Sequence, residues 1–149
     1  MYQNILVALH GEEVNLAGVI NQTLLLAEKA KARVTLLKVK ETGLIHYGEV
    51  DTLLTFTAKY GFIDYVNEIA REQVEKITGV ISKEAGFGNV KFKLKLREGK
   101  PADEIMAEIK EGDYDLVVLG TKEPGPGNTS SRVKERLARE HPCTVMMIR

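Results

Sequence analysis

Leu116-Val117-Val118-Leu119-Gly120-Thr121-Lys122-Glu123-Pro124-Gly125-Pro126-Gly127-Asn128-Thr129-Ser130-Ser131 is the stretch whose reading decides the fold. Four apolar residues ending in a glycine read as a strand buried on both faces, as in a parallel sheet. The glycines and prolines that follow continue neither regular element. Asn128, Thr129, Ser130 and Ser131 then offer N-cap side chains ahead of a helix over Arg132 to Glu140. A strand, a glycine-rich loop and a hydroxyl-rich helix start are how an α/β protein makes a phosphate cradle. Backbone N–H groups reach a ligand where no Cβ intervenes, and the helix N-terminus favours negative charge. A plainer reading fits the same residues: Pro124 and Pro126 stiffen a surface loop and the hydroxyls only cap a helix. The motif by itself does not choose between them.

Upstream, Pro101 suits the first turn of a helix whose positive end favours Asp103 and Glu104. Ile105, Met106 and Ile109 form its apolar face and Gly112 closes it. Downstream, Thr144-Val145-Met146-Met147-Ile148 reads as a last strand. At the other end of the chain, Ile5 to Leu9 is a short apolar run expected as a central strand, broken by His10-Gly11-Glu12-Glu13. A helix follows from about Val14 to Ala32, with Leu16, Val19, Ile20, Leu24 and Ala27 on one face. Val34 to Val39 is the second strand. From Glu41 to Gly61 the pattern weakens, with a short helix at Val50 to Ala58; a connection this long usually serves as a lid, a binding loop or an oligomer contact. Phe62 to about Ala85 is a helix with Val66, Ile69, Ala70, Val74, Ile77, Val80 and Ile81 on one side, ended by Gly86-Phe87-Gly88.

Val90, Phe92, Leu94 and Leu96 alternate with Lys91, Lys93, Lys95 and Arg97. Such alternation predicts an edge strand with its apolar face buried and its basic face in water. A solvated face is the favoured reading of that basic row, over a docking surface for anions. The whole pattern is one α/β domain over residues 1–149: an open, doubly wound parallel sheet of five strands with helices on both faces. An order 3-2-1-4-5 sets strands one and four side by side. The ligand crevice is then expected between them at their carboxyl ends, under the strand-four loop and over His10.

Composition bounds the function. Lys plus Arg and Asp plus Glu both number 21, so the net charge is zero, and the isoelectric point is near 6.8. That argues against nucleic acid as a main partner, which needs a basic face. With 44% hydrophobic and 28% charged residues the chain reads as ordinary globular protein. One cysteine, Cys143, excludes an internal disulfide and fits a reducing compartment. No apolar run is long enough for a membrane span, and Met1-Tyr2-Gln3-Asn4 lacks the basic region of a signal peptide. The cytoplasm is the expected location.

Five pieces in order resemble the universal stress protein family. Asn4 to Ala8 with His10-Gly11-Glu12-Glu13 is similar to its opening strand and turn, and Val34 to Val39 to its second strand. Glu98-Gly99-Lys100-Pro101-Ala102-Asp103-Glu104-Ile105 resembles its "GxPAxxI" helix start. Tyr114 to Thr121 and His141-Pro142-Cys143-Thr144-Val145 resemble its fourth-strand signature and "PCPV" ending. The resemblance covers nearly the whole chain and implies an adenine-nucleotide alpha-hydrolase-like fold. It implies ATP or AMP, with Mg²⁺, in the members that bind nucleotide, and a homodimer through the last strand, here Val145, Met146, Met147 and Ile148. Binding members carry G-x2-G-x9-G-[ST] after strand four and an aspartate after strand one. Gly120 matches the first glycine, whereas Glu123 stands for the second, Ser131-Arg132 for Gly-Ser, and His10 for the aspartate. Val39 matches the position whose backbone meets adenine. A neutral imidazole offers one acceptor and one donor to a ribose. Glu123 would repel a triphosphate unless it faces solvent or holds a cation. Gly125, Gly127 and Asn128 to Ser131 could rebuild the cradle from other positions.

Two other classes of function compete with a nucleotide-binding regulatory or protective protein. One is a dimeric interaction module of the same fold, with an unidentified protein partner, that has lost the ligand. The other is a weak ATP hydrolase, for which no base and metal-binding carboxylate are evident. No catalytic residue is assigned. His10, His46 and His141 with Cys143 give no metal-ligand spacing. Cys143 reads as a small packed side chain, and Ser130 and Ser131 lack a G-x-S-x-G elbow.

Overall fold

The apolar runs become strands β1 (Asn4–Leu9), β2 (Arg33–Glu41), β3 (Phe92–Gly99), β4 (Leu116–Gly120) and β5 (Thr144–Ile148). The amphipathic stretches become helices α1 (Leu16–Ala30), α2 (Pro101–Glu111) and α3 (Ser130–Glu140). The computed structural model describes residues 1–10, 13–41, 71–73, 75–77, 90–121 and 130–149; residues 71–73 and 75–77 are helical. The expected irregular connection after Glu41, His46 within it, the helix end at Gly86-Phe87-Gly88 and the loop from Lys122 to Thr129 lie outside the described residues. So do the side chains of Ser130 and Ser131.

All five strands are parallel, in the order β3-β2-β1-β4-β5. The register follows from burial. Ile5 and Val7 of β1 lie opposite Leu116 and Val118 of β4, and Val34 and Leu36 of β2 continue the same row. That face packs on Val19, Ile20, Leu24 and Ala27 of α1, with Ile77. Leu6, Leu37, Val117 and Leu119 point the other way, onto Ile105, Met106 and Ile109 of α2 and Val133 and Leu137 of α3. The core is therefore two apolar layers, one on each side of the sheet.

Local chemistry sets the helix ends. The Asn15 side chain accepts the Gly18 N–H at 3.1 Å, so α1 starts two residues later than its apolar pattern alone suggests. Its end is closed by Lys31 in the left-handed region (φ 54°), whose N–H bonds to the Ala27 and Glu28 carbonyls. Gly99 enters α2 at φ +147°, a conformation that favours glycine, with the Glu104 carboxylate lying where a Cβ would stand.

The edge position of β3 is as expected, but its basic row is not simply solvated. Lys95 and Arg97 turn under α2 and meet Glu108, which is only 2% exposed. Lys95 Nζ lies 2.8 Å from Glu108 Oε2 and Arg97 Nη1 2.7 Å from the same oxygen. Arg97 also pairs with Glu104 at 2.8 Å and with Glu111 at 2.9 Å. The Tyr114 hydroxyl donates to Glu108 Oε1 at 2.8 Å. Burial alone would push the Glu108 carboxyl up; the hydrogen bonds from Lys95, Tyr114 and Arg97 outweigh it and hold the group below its ordinary value. The Arg97 guanidinium is held more firmly protonated by Glu111, Glu104 and Glu108. Conversely, the face expected to be buried leaves Leu94 and Leu96 exposed, Leu96 by 59%. An alternating pattern says that two faces differ; the carboxylates on α2 decided which side of β3 the helix covers.

Candidate functional site

β1 stops pairing with β2 at Leu9 and with β4 at Ala8, so the chain diverges at the carboxyl ends of these strands. β1 lies between β2 and β4 while α1 and α2–α3 cover opposite faces, which puts the topological switch point here. An open cleft lies there, about 560 Å³ counting the free space at its mouth. Its floor is Ala8, Leu9, Leu37, Val39 and Leu119; Pro101 and Ile105 of α2 form one wall and Val133 and Lys134 of α3 another. His10, Glu13 and Gly120 form the mouth.

Of the residues singled out by sequence, the fold brings His10, Val39 and Gly120 together. Val39 is the first residue of β2 beyond its pairing with β1. Ser130 opens α3 on the same side of the sheet. Gly125, Gly127, Asn128 and Thr129 lie outside the described residues, as does Glu123.

Glu13 is the residue that sequence reading missed. Its Oε1 accepts the His10 backbone N–H. Its side chain passes directly over Gly120: a Cβ there would stand 2.5 Å from Glu13 Cγ and 3.1 Å from a Val19 methyl. The Val14 N–H donates to the Thr121 carbonyl at 2.9 Å, tying the entry of α1 to the exit of β4. Gly120 is thus required by the crossing of Glu13, whatever its place in a phosphate motif. The signal was an acid four residues beyond the end of an apolar strand, where it can cap the N–H of the turn's first residue, His10. His10 Nδ1 lies 3.4 Å from the Gln73 amide nitrogen, so the ring is held by a side chain from another segment.

The site is amphipathic. Aliphatic side chains form a slot suited to a planar apolar ring, and the carboxylate of Glu13, the imidazole of His10 and the ammonium of Lys134 stand at its edge. Among the described residues no group of three or more His, Cys, Asp or Glu side chains could hold a metal ion. Cys143 is half-buried against the α2–α3 layer, and burial, with Asp115 nearby, pushes its thiol up.

The model of the universal stress protein family matches residues 1–149. A universal stress protein of Methanothermobacter thermautotrophicus is 32% identical, over 100% of this chain and 97% of that relative. The chain belongs to the universal stress protein family. Solved universal stress proteins share its fold: that of Lactobacillus plantarum aligns with a TM-score of 0.69 at 20% identity, covering 99% of this chain and 98% of the other. The Archaeoglobus fulgidus protein in complex with dAMP aligns at 0.62 and 16% identity, over 99% and 98% of the two chains. The sheet order 3-2-1-4-5 and the helices on both faces are those of this universal stress protein fold.

Proposed function

We propose that the cleft at the β1–β4 switch point binds an adenine nucleotide, ATP or AMP, and that the protein acts as a regulatory or protective stress protein. The observation that carries this reading is the aliphatic slot of Leu37, Val39, Ile105 and Val133 opening on His10, Glu13 and Gly120. The dAMP held by the Archaeoglobus fulgidus relative supports the same class of ligand.

In this reading the base lies against Val39 and Leu37. His10 and Glu13 meet the ribose, where a carboxylate accepts hydroxyl hydrogen bonds and an imidazole both accepts and donates. Gly125, Gly127, Asn128, Thr129, Ser130 and Ser131 serve the phosphates at the start of α3, with Lys134 adding positive charge. The Glu13 carboxylate disfavours bare phosphate nearby, so Mg²⁺ should strengthen ATP more than AMP.

The test is titration calorimetry of nucleotide-stripped protein with ATP and AMP, with and without Mg²⁺, beside mass spectrometry of whatever co-purifies. Saturable binding that weakens when Val39 is replaced by a bulky charged residue supports the reading. No binding and no co-purified nucleotide overturns it.

A second reading, a ligand-free dimeric interaction module in the cytoplasm, is favoured by β5. This edge strand exposes Met146 by 37% and Met147 by 53%. Ile148, by contrast, is buried in the chain's own core, so the proposed homodimer contact rests on Met146 and Met147, flanked by half-buried Val145. Charging both methionines should give a folded monomer by light scattering; an unchanged dimer would move the interface elsewhere.

A further inference from the structure

The opposite pole of the sheet holds a second, open recess at the start of β2 and β3, where Arg33, Lys91, Lys93 and Tyr114 face Glu108 and Glu111 of α2. The strands' register explains it. Thr35 lies opposite Lys93, so Arg33 and Lys91 form the next row out on the same face. That face is the one α2 covers, but α2 ends at Glu111, short of these rows. The recess is therefore the uncovered end of this surface, bounded on its inner side by the Glu108 network. It stands a strand's length, roughly 17 Å, from the cleft at His10.

The charges here are unevenly shared. Lys95 and Arg97 are taken up by Glu104, Glu108 and Glu111. Both Glu108 oxygens are engaged, Oε1 by Tyr114 and Lys95 and Oε2 by Arg97 and Lys95. Arg33, Lys91 and Lys93 are exposed, and among the described residues none has a carboxylate partner. In a chain of zero net charge, three convergent cations make a local positive field.

We propose that this recess is an anion site for a short phosphate chain of two or three phosphoryl groups. Lys91 and Lys93 are two residues apart on one strand, hence roughly 7 Å, and Arg33 sits one strand away at about 5 Å. One phosphate meets only part of that triangle, whereas a chain spans it. Each exposed cation contributes little alone, so the ligand must be polyvalent. Arg33 supplies a planar fork for paired oxygens and the lysines supply point charges. The carboxyl end of α2, with Glu111, repels an anion, which seats it on the β3 side of the recess.

The probe is inorganic tripolyphosphate added to the full chain, followed by calorimetry and backbone amide NMR shifts. Expected are saturable binding that weakens with added salt, shifts at Arg33, Thr35, Lys91 and Lys93, and about tenfold weaker affinity in a folded R33Q/K91Q/K93Q variant. Unchanged affinity in that variant, shifts confined to Ala8, Val39 and Gly120, or no saturable binding would each overturn the site. ATP in a parallel arm identifies the source. Shifts at both poles point to a nucleotide tail, and shifts at the cleft alone point to a free phosphate chain.

Discussion

β4 and β3 belong to one sheet, yet they are held in place by different forces. β4 is buried from Leu116 to Leu119, with alternate residues in the two apolar layers. β3 is fixed on its α2 side by Lys95 and Arg97 around one buried carboxylate, and leaves Leu94 and Leu96 exposed. The centre of this sheet is bound by the non-directional burial of surface, and its edge by a few directional charges that must all be satisfied at once. The same division separates the two recesses: the aliphatic slot lies at the centre, and Arg33, Lys91 and Lys93 lie toward the edge.

The contrast should be visible in stability, most strongly at β4. Leu116→Ala removes a fully buried side chain and should cost roughly 3–4 kcal/mol in urea unfolding; a loss comparable to that of an exposed residue would deny β4 its place in the core. Glu108→Ala takes the carboxylate from Lys95 and leaves Arg97 with Glu104 and Glu111; because Lys95 is partly exposed the cost should be smaller, about 2–3 kcal/mol. A double-mutant cycle with Arg97→Ala should then show strong coupling, whereas additive losses would mean that the ion cluster is not what joins β3 to α2.

Acid offers a sharper version of the same comparison. The Glu108 carboxyl is held below its ordinary value near 4.5. Its contribution is therefore complete above that ordinary value, where folded and unfolded chains are both ionised. It is lost as pH falls from there through the lower folded value, where the native state must take up a proton. Urea midpoints measured between about pH 6 and about pH 3 should fall more steeply for the native chain than for Glu108→Gln, and parallel curves would place the acid sensitivity elsewhere.

Two smaller effects complete the series. Gly120→Ala should cost about 1–2 kcal/mol by pushing Glu13 off the His10 N–H, and should shift nucleotide affinity as well. If neither changes, Glu13 is not fixed at the mouth of the cleft. Leu96→Thr should stay within about 0.5 kcal/mol, since an exposed side chain has little to lose; a large loss would show that this face of β3 is covered after all.

The β4 stretch was legible because continuous apolar residues between turn signals have few alternatives in a parallel sheet. Its topology followed from the alternation of strands and helices, and with it the placing of His10, Val39 and Gly120 around one cleft. Glu13 was not legible as a site residue. Its importance depends on a backbone N–H three residues back and on the absence of a Cβ at Gly120, a coincidence of two segments more than 100 residues apart in sequence.

What the sequence determined by itself is therefore what depends on local pattern: the strands, the apolar faces of the helices and the family. Periodicity is a property of neighbouring residues, and it survives without knowledge of the rest of the chain. What only the tertiary structure decided is where charges end. Lys91, Lys93, Lys95 and Arg97 are equivalent in sequence, yet two neutralise acids beneath α2 and two stand open beside Arg33. Ion pairing depends on distances across elements, and it was the length of α2 that divided the row.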